Sequence, residues 1–237
     1  MHNNMSHVLV CGGSRGIGAS IVKHFASKGF FVTYLYKNAP GPSGDNIVAF
    51  KCDVTDVNAV NCTFEEITNK YGAPDNLVYC SGISVTGLAD TFSYEEYHKV
   101  MDTNFGGFFL ICNKVIPHMV HNHSGSIVAI SSMWGQVGAS CEALYSASKG
   151  AMDAYVKSLA KELGPSGIRV NAVSPGVIDT DMMKEYTSED KQALCDETPL
   201  MRIGKPEDVA SMVYHLTSSE ASFITGQIIG VNGGFLI

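Results

Sequence analysis

Short runs of β-branched and aromatic residues alternate along the chain with longer segments in which apolar residues recur at helical spacing. This alternation is typical of an α/β protein with a doubly wound parallel sheet and helices on both faces. The chain length of 237 residues suits a single domain over 1–237. We predict about seven strands, near Val8–Cys11, Phe30–Tyr36, Ile47–Cys52, Asn76–Tyr79, Ser126–Ser131, Arg169–Val173 and Ile228–Val231.

Helix signals stand between these strands. Ser93 and Glu96 have the spacing of a capping box, which predicts a long helix from there to about Pro117. We predict a second helix over Tyr145–Leu163 and a later one that begins at Pro206, because proline suits the first helical turn.

Two connections depart from a regular alternation of strand and helix. The link Lys37–Asn46 is short for a crossover helix and contains Pro40 and Pro42, so we expect a loop there. The segment 181–205 is long and joins the sixth strand to a late helix, and we expect it to form a mobile lid over the substrate. Its adaptable apolar side chains suit substrate contacts or, equally, core packing: Met182, Met183, Tyr186 and Met201.

The net charge of the chain limits the classes of partner that it is expected to bind. There are 16 Lys and Arg residues against 23 Asp and Glu residues, which gives a formal net charge of −7. This balance argues against nucleic acid and against an anionic membrane as main partners. No apolar run approaches the ~18 residues of a membrane span and no signal peptide is visible, so we expect a cytoplasmic protein. The seven cysteines form no C-x-x-C pair, which favours reduced thiols.

A glycine-rich turn follows the first predicted strand and leads into a helical pattern. Residues 11–18 read Cys-Gly-Gly-Ser-Arg-Gly-Ile-Gly. Such a turn lets backbone N–H groups and a helix N-terminus approach a pyrophosphate, whose negative charge the helix dipole favours. The alternative is a tight turn without a ligand. The candidate cofactor contacts in the turn are Gly12, Ser14, Arg15, Gly16, Ile17 and Gly18.

The residues beyond this turn favour NADP(H) over NAD(H). NAD-selective sites place a carboxylate about 20 residues after the glycines, whereas no Asp or Glu precedes Asp45 here. Arg15 and Lys37 stand where an adenosine 2′-phosphate would lie, although both would also suit a solvated surface. Asp53, at the end of the third strand, is placed to meet the adenine or to cap the next helix.

A serine and a tyrosine–lysine pair are the candidate chemical groups. Ser132 follows the fifth strand, and Tyr145 and Lys149 share one face of the next long helix. Because a nearby ammonium favours the phenolate, we expect Lys149 to lower the pKa of Tyr145 from its ordinary value of about 10. A pair of this spacing is often a surface feature, but ligands bind at the carboxyl ends of parallel strands, where Ser132 lies.

Together these motifs resemble the short-chain dehydrogenase/reductase family over essentially the whole chain. The resemblance implies a Rossmann-type NADP-binding domain, a homotetramer, and reduction of a ketone substrate. It implies that Ser132 holds the carbonyl, Tyr145 protonates its oxygen and Lys149 binds the nicotinamide ribose. Asn104 matches a fourth catalytic residue, which helps to hold a proton-relaying water. Further cofactor contacts that the resemblance implies are Val54, Ser81, Gly82, Tyr145, Lys149, Pro175, Gly176, Ile178 and Thr180.

Two substrates compete within this family. The glycine turn, the acid-free second strand and the C-terminal segment resemble 3-oxoacyl-acyl-carrier-protein reductases, our leading assignment, which would make an acidic carrier protein a partner. The segment 134–142 resembles instead the reductase that acts on an aminopentanone group attached to a lysine of elongation factor P. The candidate substrate contacts are Met133, Trp134, Gln136, Glu142, Met182 and Met183.

Three observations limit these assignments. The run Tyr79-Cys80-Ser81-Gly82 replaces the family's usual Asn-Asn-Ala-Gly, which puts the packing beside the adenosine in doubt. A cofactor-binding regulator without catalysis is a different class of answer, which the intact catalytic residues oppose. Three neighbouring histidines lack an acidic partner, so we expect no metal at His118, His121 and His123.

Overall fold

The core of the structure is one parallel sheet. The computed structural model describes residues 5–184 and 186–237. Within them the strands are β1 (His7–Cys11), β2 (Phe31–Tyr36), β3 (Ile47–Lys51), β4 (Asn76–Tyr79), β5 (Gly125–Ile130), β6 (Ile168–Pro175) and β7 (Ile228–Val231). They lie in the order β3-β2-β1-β4-β5-β6-β7, and each neighbouring pair is parallel. The predicted α/β fold is confirmed, and each predicted strand is present within two residues of its predicted ends.

Helices cover both faces of this sheet. They are α1 (Gly16–Ser27), α2 (Val57–Tyr71), α3 (Tyr94–Met101), α4 (Gly107–Asn122), α5 (Met133–Val137), α6 (Ala143–Leu163), α7 (Ser188–Glu197) and α8 (Pro206–Thr217). Side chains alternate across a strand, so Val8 and Val10 pack with α1 and α8 while Leu9 packs with α2, α4 and α6. The wholly buried strands therefore carry apolar residues at successive positions.

The chain order reverses between β1 and β4. β1 pairs with β2 on one side and with β4 on the other, so the connections after these two strands run in opposite directions. Such a switch point opens a crevice at the carboxyl ends of the strands. The glycine turn follows β1 and the segment Cys80–Gly82 follows β4, so both border this crevice.

The link between β2 and β3 is a loop, as its prolines predict. The Tyr34 hydroxyl accepts a hydrogen bond from the Gly41 amide at 2.8 Å and donates one to the Pro42 carbonyl at 3.1 Å. A Cβ on Gly41 would overlap the Ser14 carbonyl. The loop is therefore folded back against the glycine turn, where a crossover helix would not fit.

The helix that starts after Ser93 differs from its prediction in two ways. The capping box of Ser93 and Glu96 is present, but the helix is interrupted by a π-helical turn over Asp102–Gly106. The predicted end near Pro117 is wrong, because α4 includes Pro117 and continues to Asn122. The left-handed His123, with φ of 49°, ends it.

Two features are absent from the described chain, residues 5–184 and 186–237. No helix there is long and apolar enough to cross a bilayer. No three His, Cys, Asp or Glu side chains there are grouped as metal ligands.

Candidate active site

Three predicted catalytic side chains meet beyond the carboxyl end of β5. The Ser132 hydroxyl caps α5 by accepting a hydrogen bond from the Trp134 amide at 3.2 Å. The Ser132 hydroxyl also faces the Tyr145 hydroxyl. The Lys149 ammonium lies 5.6 Å from the centre of the Tyr145 ring. The structure therefore brings Ser132, Tyr145 and Lys149 into one cluster.

Burial dominates the ionisation of Tyr145. Desolvation raises the pKa of its phenol to about 12; the Ser132 hydroxyl beside it opposes this rise and the Glu142 carboxylate adds to it. The pKa is therefore raised, and not lowered as the sequence analysis expects, because loss of solvent outweighs the opposing effect of Ser132. The phenol consequently keeps its proton at neutral pH and is available as a proton donor.

Lys149 is buried under the same crevice. Desolvation lowers the pKa of its ammonium to about 8, and Nζ donates a hydrogen bond to the Ile130 carbonyl at 2.8 Å. A Cβ on Gly82 would lie 3.3 Å from Nζ and 3.5 Å from Oδ1 of Asn104. Gly82 thus leaves open the space in which the lysine and asparagine side chains approach each other.

Asn104 lies in the π-helical turn and is fully buried. Its Oδ1 accepts from the Ile83 amide at 2.8 Å, and its Nδ2 donates to the Ile83 carbonyl at 2.9 Å. Nδ2 also donates to the Ser148 hydroxyl at 2.9 Å, which in turn donates to the Tyr145 carbonyl at 2.7 Å. Asn104 therefore ties the segment after β4 to α6. The sequence analysis missed Ile83 and Ser148, although Ser148 directly precedes Lys149.

The glycine turn has the shape that a dinucleotide phosphate requires. Gly12 and Gly16 have positive φ angles of 78° and 51°. A Cβ on Gly12 would lie 2.8 Å from the Ser81 amide nitrogen, and one on Gly18 would overlap the Gly12 carbonyl. Arg15, the N-cap of α1, makes no side-chain cap, so the first amides of the helix face the crevice uncapped. A cradle of backbone with no room for side chains fits a pyrophosphate.

Both candidate cations for a 2′-phosphate have a carboxylate partner. Arg15 pairs with Asp181 at 3.2 Å and Lys37 pairs with Asp53 at 2.7 Å. The alternative in which Asp53 caps the next helix is wrong, because Asp56 is the N-cap of α2. The sequence analysis named Asp53 but did not pair it with Lys37, and it missed Asp181 as the partner of Arg15. A bound phosphate would compete with both carboxylates.

The segment after β6 returns to the glycine turn. The methyl group of Thr180 lies 3.4 Å from the position of a Cβ on Gly16. Gly176 passes so close to Asn232 that a Cβ would lie 2.8 Å from its Cα, and Ile178 is buried. The predicted contacts Pro175, Gly176, Ile178 and Thr180 thus run from the end of β6 to the turn.

The unusual segment after β4 packs closely. Cys80 lies beside Gly18 and Lys149, and burial raises the pKa of its thiol to about 11. The Tyr79 hydroxyl donates to the Thr103 carbonyl at 2.6 Å. Val54, a predicted cofactor contact, is also buried, so its side chain packs below the crevice.

The predicted substrate contacts differ widely in their exposure to solvent. Met133 and Met183 are only 3% and 6% exposed, whereas Met182 is 57% exposed. The exposed Gln136 uses its side-chain amide to donate to the Ser174 hydroxyl at 2.8 Å. Met133 and Met183 are therefore buried side chains in this structure, and their contact with a substrate stays a prediction.

Glu142 and Trp134 flank the catalytic cluster. Glu142 is the N-cap of α6, accepts a hydrogen bond from the Ser84 hydroxyl at 3.1 Å, and is close enough to Tyr145 to raise its pKa. The sequence analysis missed Ser84. The Trp134 ring meets the Phe235 ring edge-on, with centroids 6.0 Å apart. The C-terminal segment thus reaches the neighbourhood of the site.

The segment 181–205 contains elements of its own. A short 3-10 turn over Asp181–Met183 precedes α7, which starts with a capping box of Thr187 and Asp190. No residue of α7 is buried, and Tyr186 and Met201 are 44% and 65% exposed. Glu185, which belongs to the predicted lid, lies outside the described residues. The lid itself stays a prediction.

The Rossmann-type sheet with a Ser–Tyr–Lys cluster at its crevice defines a class, the dinucleotide-dependent oxidoreductases. A family model described as "Enoyl-(Acyl carrier protein) reductase" matches residues 12–236. The chain belongs to the short-chain dehydrogenase/reductase family, and it is an oxidoreductase of that family.

Individual relatives resemble the chain over nearly its whole length. "Uncharacterized oxidoreductase YmfI" of Bacillus subtilis is 39% identical over 96% of this chain and 97% of that protein. "3-oxoacyl-[acyl-carrier-protein] reductase FabG" of Staphylococcus aureus is 36% identical over 95% of this chain and 96% of that protein. A solved structure titled "ElxO with NADP Bound" has 28% identity and a TM-score of 0.90 over 98% of both chains.

Proposed function

We propose that this protein is an NADPH-dependent reductase that converts a ketone into a secondary alcohol. The observation that carries the proposal is the cluster of a protonated Tyr145 phenol, the Ser132 hydroxyl and the Lys149 ammonium. In it, Ser132 holds the carbonyl oxygen, Tyr145 donates a proton to that oxygen, and Lys149 binds the nicotinamide ribose. Asn104 fixes the segment after β4 and helps to hold a relay water. NADPH, when bound, supplies the hydride.

The choice of NADP(H) has two supports. ElxO, with a similar structure, has been solved with NADP bound. In this chain, Arg15 and Lys37 carry exposed cations beside the glycine turn and beyond β2. The residues proposed to hold the cofactor by backbone or side chain are Gly12, Ser14, Arg15, Gly16, Ile17, Gly18, Lys37, Asp53, Val54, Ser81, Gly82, Tyr145, Lys149, Pro175, Gly176, Ile178 and Thr180.

The geometry favours a ketone that carries its own positive charge, such as an aminopentanone attached to a lysine of elongation factor P. The supporting observation is Glu142, a half-buried carboxylate fixed by Ser84 and close to Tyr145. A carboxylate beside a proton donor attracts a cationic substrate and disfavours an anionic one. The net charge of −7 also repels an acidic carrier.

Reduction of a 3-oxoacyl group on acyl carrier protein is the second candidate. Its support is the similarity to FabG over almost the whole of both chains. A neutral acyl chain would use the exposed apolar residues of the lid, such as Met182. In either case we propose a cytoplasmic homotetramer with one NADP-binding domain per chain and a lid at 181–205.

Glutamine at position 142 separates the two candidates. Glu142→Gln removes the carboxylate charge with little change in shape, so kcat/KM for an amino-ketone should fall about tenfold or more, a loss of ~1.4 kcal/mol or more. The value for a neutral 3-oxoacyl thioester should change less than threefold. Ser84→Ala is the matched control, because it removes a hydrogen bond and keeps the charge. Equal losses on both substrates would leave 3-oxoacyl reduction as the better assignment.

A further inference from the structure

A second carboxylate lies below the catalytic pair on α6. Tyr145, Lys149 and Asp153 are spaced by four residues, so they follow one face of the helix. Asp153 is 6% exposed and Lys149 is 4% exposed. A buried carboxylate is costly unless a charge or hydrogen bonds compensate it. The burial of the Asp153 carboxylate therefore requires a structural explanation.

The surroundings of Asp153 belong to the catalytic framework. A Cβ on Gly135 of α5 would lie 3.2 Å from Oδ2 of Asp153 and 2.8 Å from Cβ of Lys149, so α5 passes directly over both side chains. The Ser131 hydroxyl faces the carboxylate and directly precedes Ser132 in the chain. Among described atoms, Oδ1 of Asp153 and Oγ of Ser131 are buried without a hydrogen bond of standard geometry.

Few charged groups face Lys149. Asp153 and Tyr145 face it from α6, Cys80 faces it from the segment after β4, and β5 presents the Ile130 carbonyl. The pKa of the Cys80 thiol is raised to about 11 by burial, so this thiol is neutral at physiological pH. Among these groups Asp153 supplies the carboxylate, and its charge favours the Lys149 ammonium. Burial raises the pKa of this carboxyl, whereas the Ser131 hydroxyl, Lys157 and Lys149 act to lower it.

We propose that Asp153 is a positioning residue for Lys149: its buried carboxylate keeps the lysine in the ammonium form under the crevice. The same side chain packs against Ser131 and so steadies the strand end that presents Ser132. This inference rests on the proposed role of Lys149 in binding the cofactor ribose. Asp153 touches neither substrate nor cofactor, and it acts through the lysine.

The direction of the expected pH shift follows from the negative charge of Asp153. Without the carboxylate, the desolvated ammonium loses its proton at lower pH, so the alkaline limb of kcat/KM should move to lower pH by about one unit. Asp153→Asn should stay within about threefold of the parent protein at pH 6.5 and fall about tenfold at pH 9. NADPH affinity, measured by fluorescence titration, should weaken over the same range. A structural role alone would lower activity equally at all pH values.

Matched variants make the test decisive. Asp153→Glu retains the charge and should restore the alkaline limb, whereas Lys161→Met removes an exposed cation two turns further along α6 and should not move it. If Asp153→Asn does not fold, Asp153→Ser replaces it as the neutral variant. The proposal is overturned if the neutral variant and the parent protein have parallel pH profiles, both in kcat/KM and in NADPH binding.

The proposed function has a separate test in the same assay. With a 3-oxoacyl thioester and an amino-ketone as probes, Tyr145→Phe should be almost inactive at every pH. Full activity of Tyr145→Phe would reject the proposed chemistry. Parallel profiles for Asp153→Asn, combined with an inactive Tyr145→Phe, would reject only the role of Asp153.

Discussion

The proton on Tyr145 is the part of the site that a single substitution removes most cleanly. Tyr145→Phe keeps the ring and removes the hydroxyl, so we predict an intact fold, nearly unchanged NADPH binding, and turnover lower by about 10² or more. Tyr155→Phe is the control, because Tyr155 lies on the same helix and its pKa is likewise raised to about 12. Near-normal ketone reduction by Tyr145→Phe, measured as NADPH consumption, would contradict the assignment.

Lys149 should give activity and stability opposite pH dependences. Its folded pKa of about 8 lies below the ordinary value of 10.5, so activity that needs the ammonium falls as pH rises through 8. The folded chain then binds fewer protons than the unfolded chain between pH 8 and 10.5, so this group makes the unfolding free energy rise with pH there. Denaturation of parent and Lys149→Met at several pH values isolates the contribution. A difference that is constant with pH would contradict it.

Arg15 and Lys37 should set the preference between the two nicotinamide cofactors. Replacing both with alanine removes the cations that meet a 2′-phosphate, so we predict that most of the NADPH preference in kcat/KM disappears. The control is Lys23→Ala, an exposed lysine on α1. Equal kcat/KM values for NADPH and NADH in the parent protein would refute the preference itself.

The π-helical turn is the element that ties three parts of the site together. Asn104→Ala removes the hydrogen bonds to Ile83 and Ser148, and we predict a stability loss of about 1–3 kcal/mol with lower turnover, because buried polar groups lose their partners. Asn104→Asp keeps the bond from the Ile83 amide but places a buried carboxylate oxygen against the Ile83 carbonyl, so it should lose at least as much stability as the alanine variant. Urea denaturation measures both. An aspartate variant as stable as the parent protein would contradict the account.

Local sequence signals predict the elements better than the contacts between them. Capping residues, prolines and apolar runs locate the sheet, the Ser93 cap and the helix-free link between β2 and β3, because each depends on neighbouring residues. The Arg15–Asp181 pair, the burial of Met133 and the π turn depend on distant parts of the fold. The pKa of Tyr145 also depends on the tertiary fold. The spacing between Tyr145 and Lys149 is visible in the sequence, whereas the burial that raises the pKa is not.

The whole molecule should assemble beyond one chain. Phe223 and Ile237 are fully exposed in the isolated chain, and exposed apolar groups of this size suit contacts with another subunit. We predict a homotetramer, so light scattering after gel filtration should give about four times the 25.4 kDa of one chain. A single species at the mass of one chain would contradict this assembly.

Transfer of an isotope from the cofactor tests the central claim most directly. The purified protein is supplied with NADPH in which deuterium replaces both hydrogens on the reactive carbon of the nicotinamide, and with either an amino-ketone or a 3-oxoacyl thioester. The account predicts a secondary alcohol with one deuterium on its carbinol carbon, formed by the parent protein and almost absent with Tyr145→Phe. An alcohol without deuterium, or no consumption of NADPH with either ketone class, would contradict it.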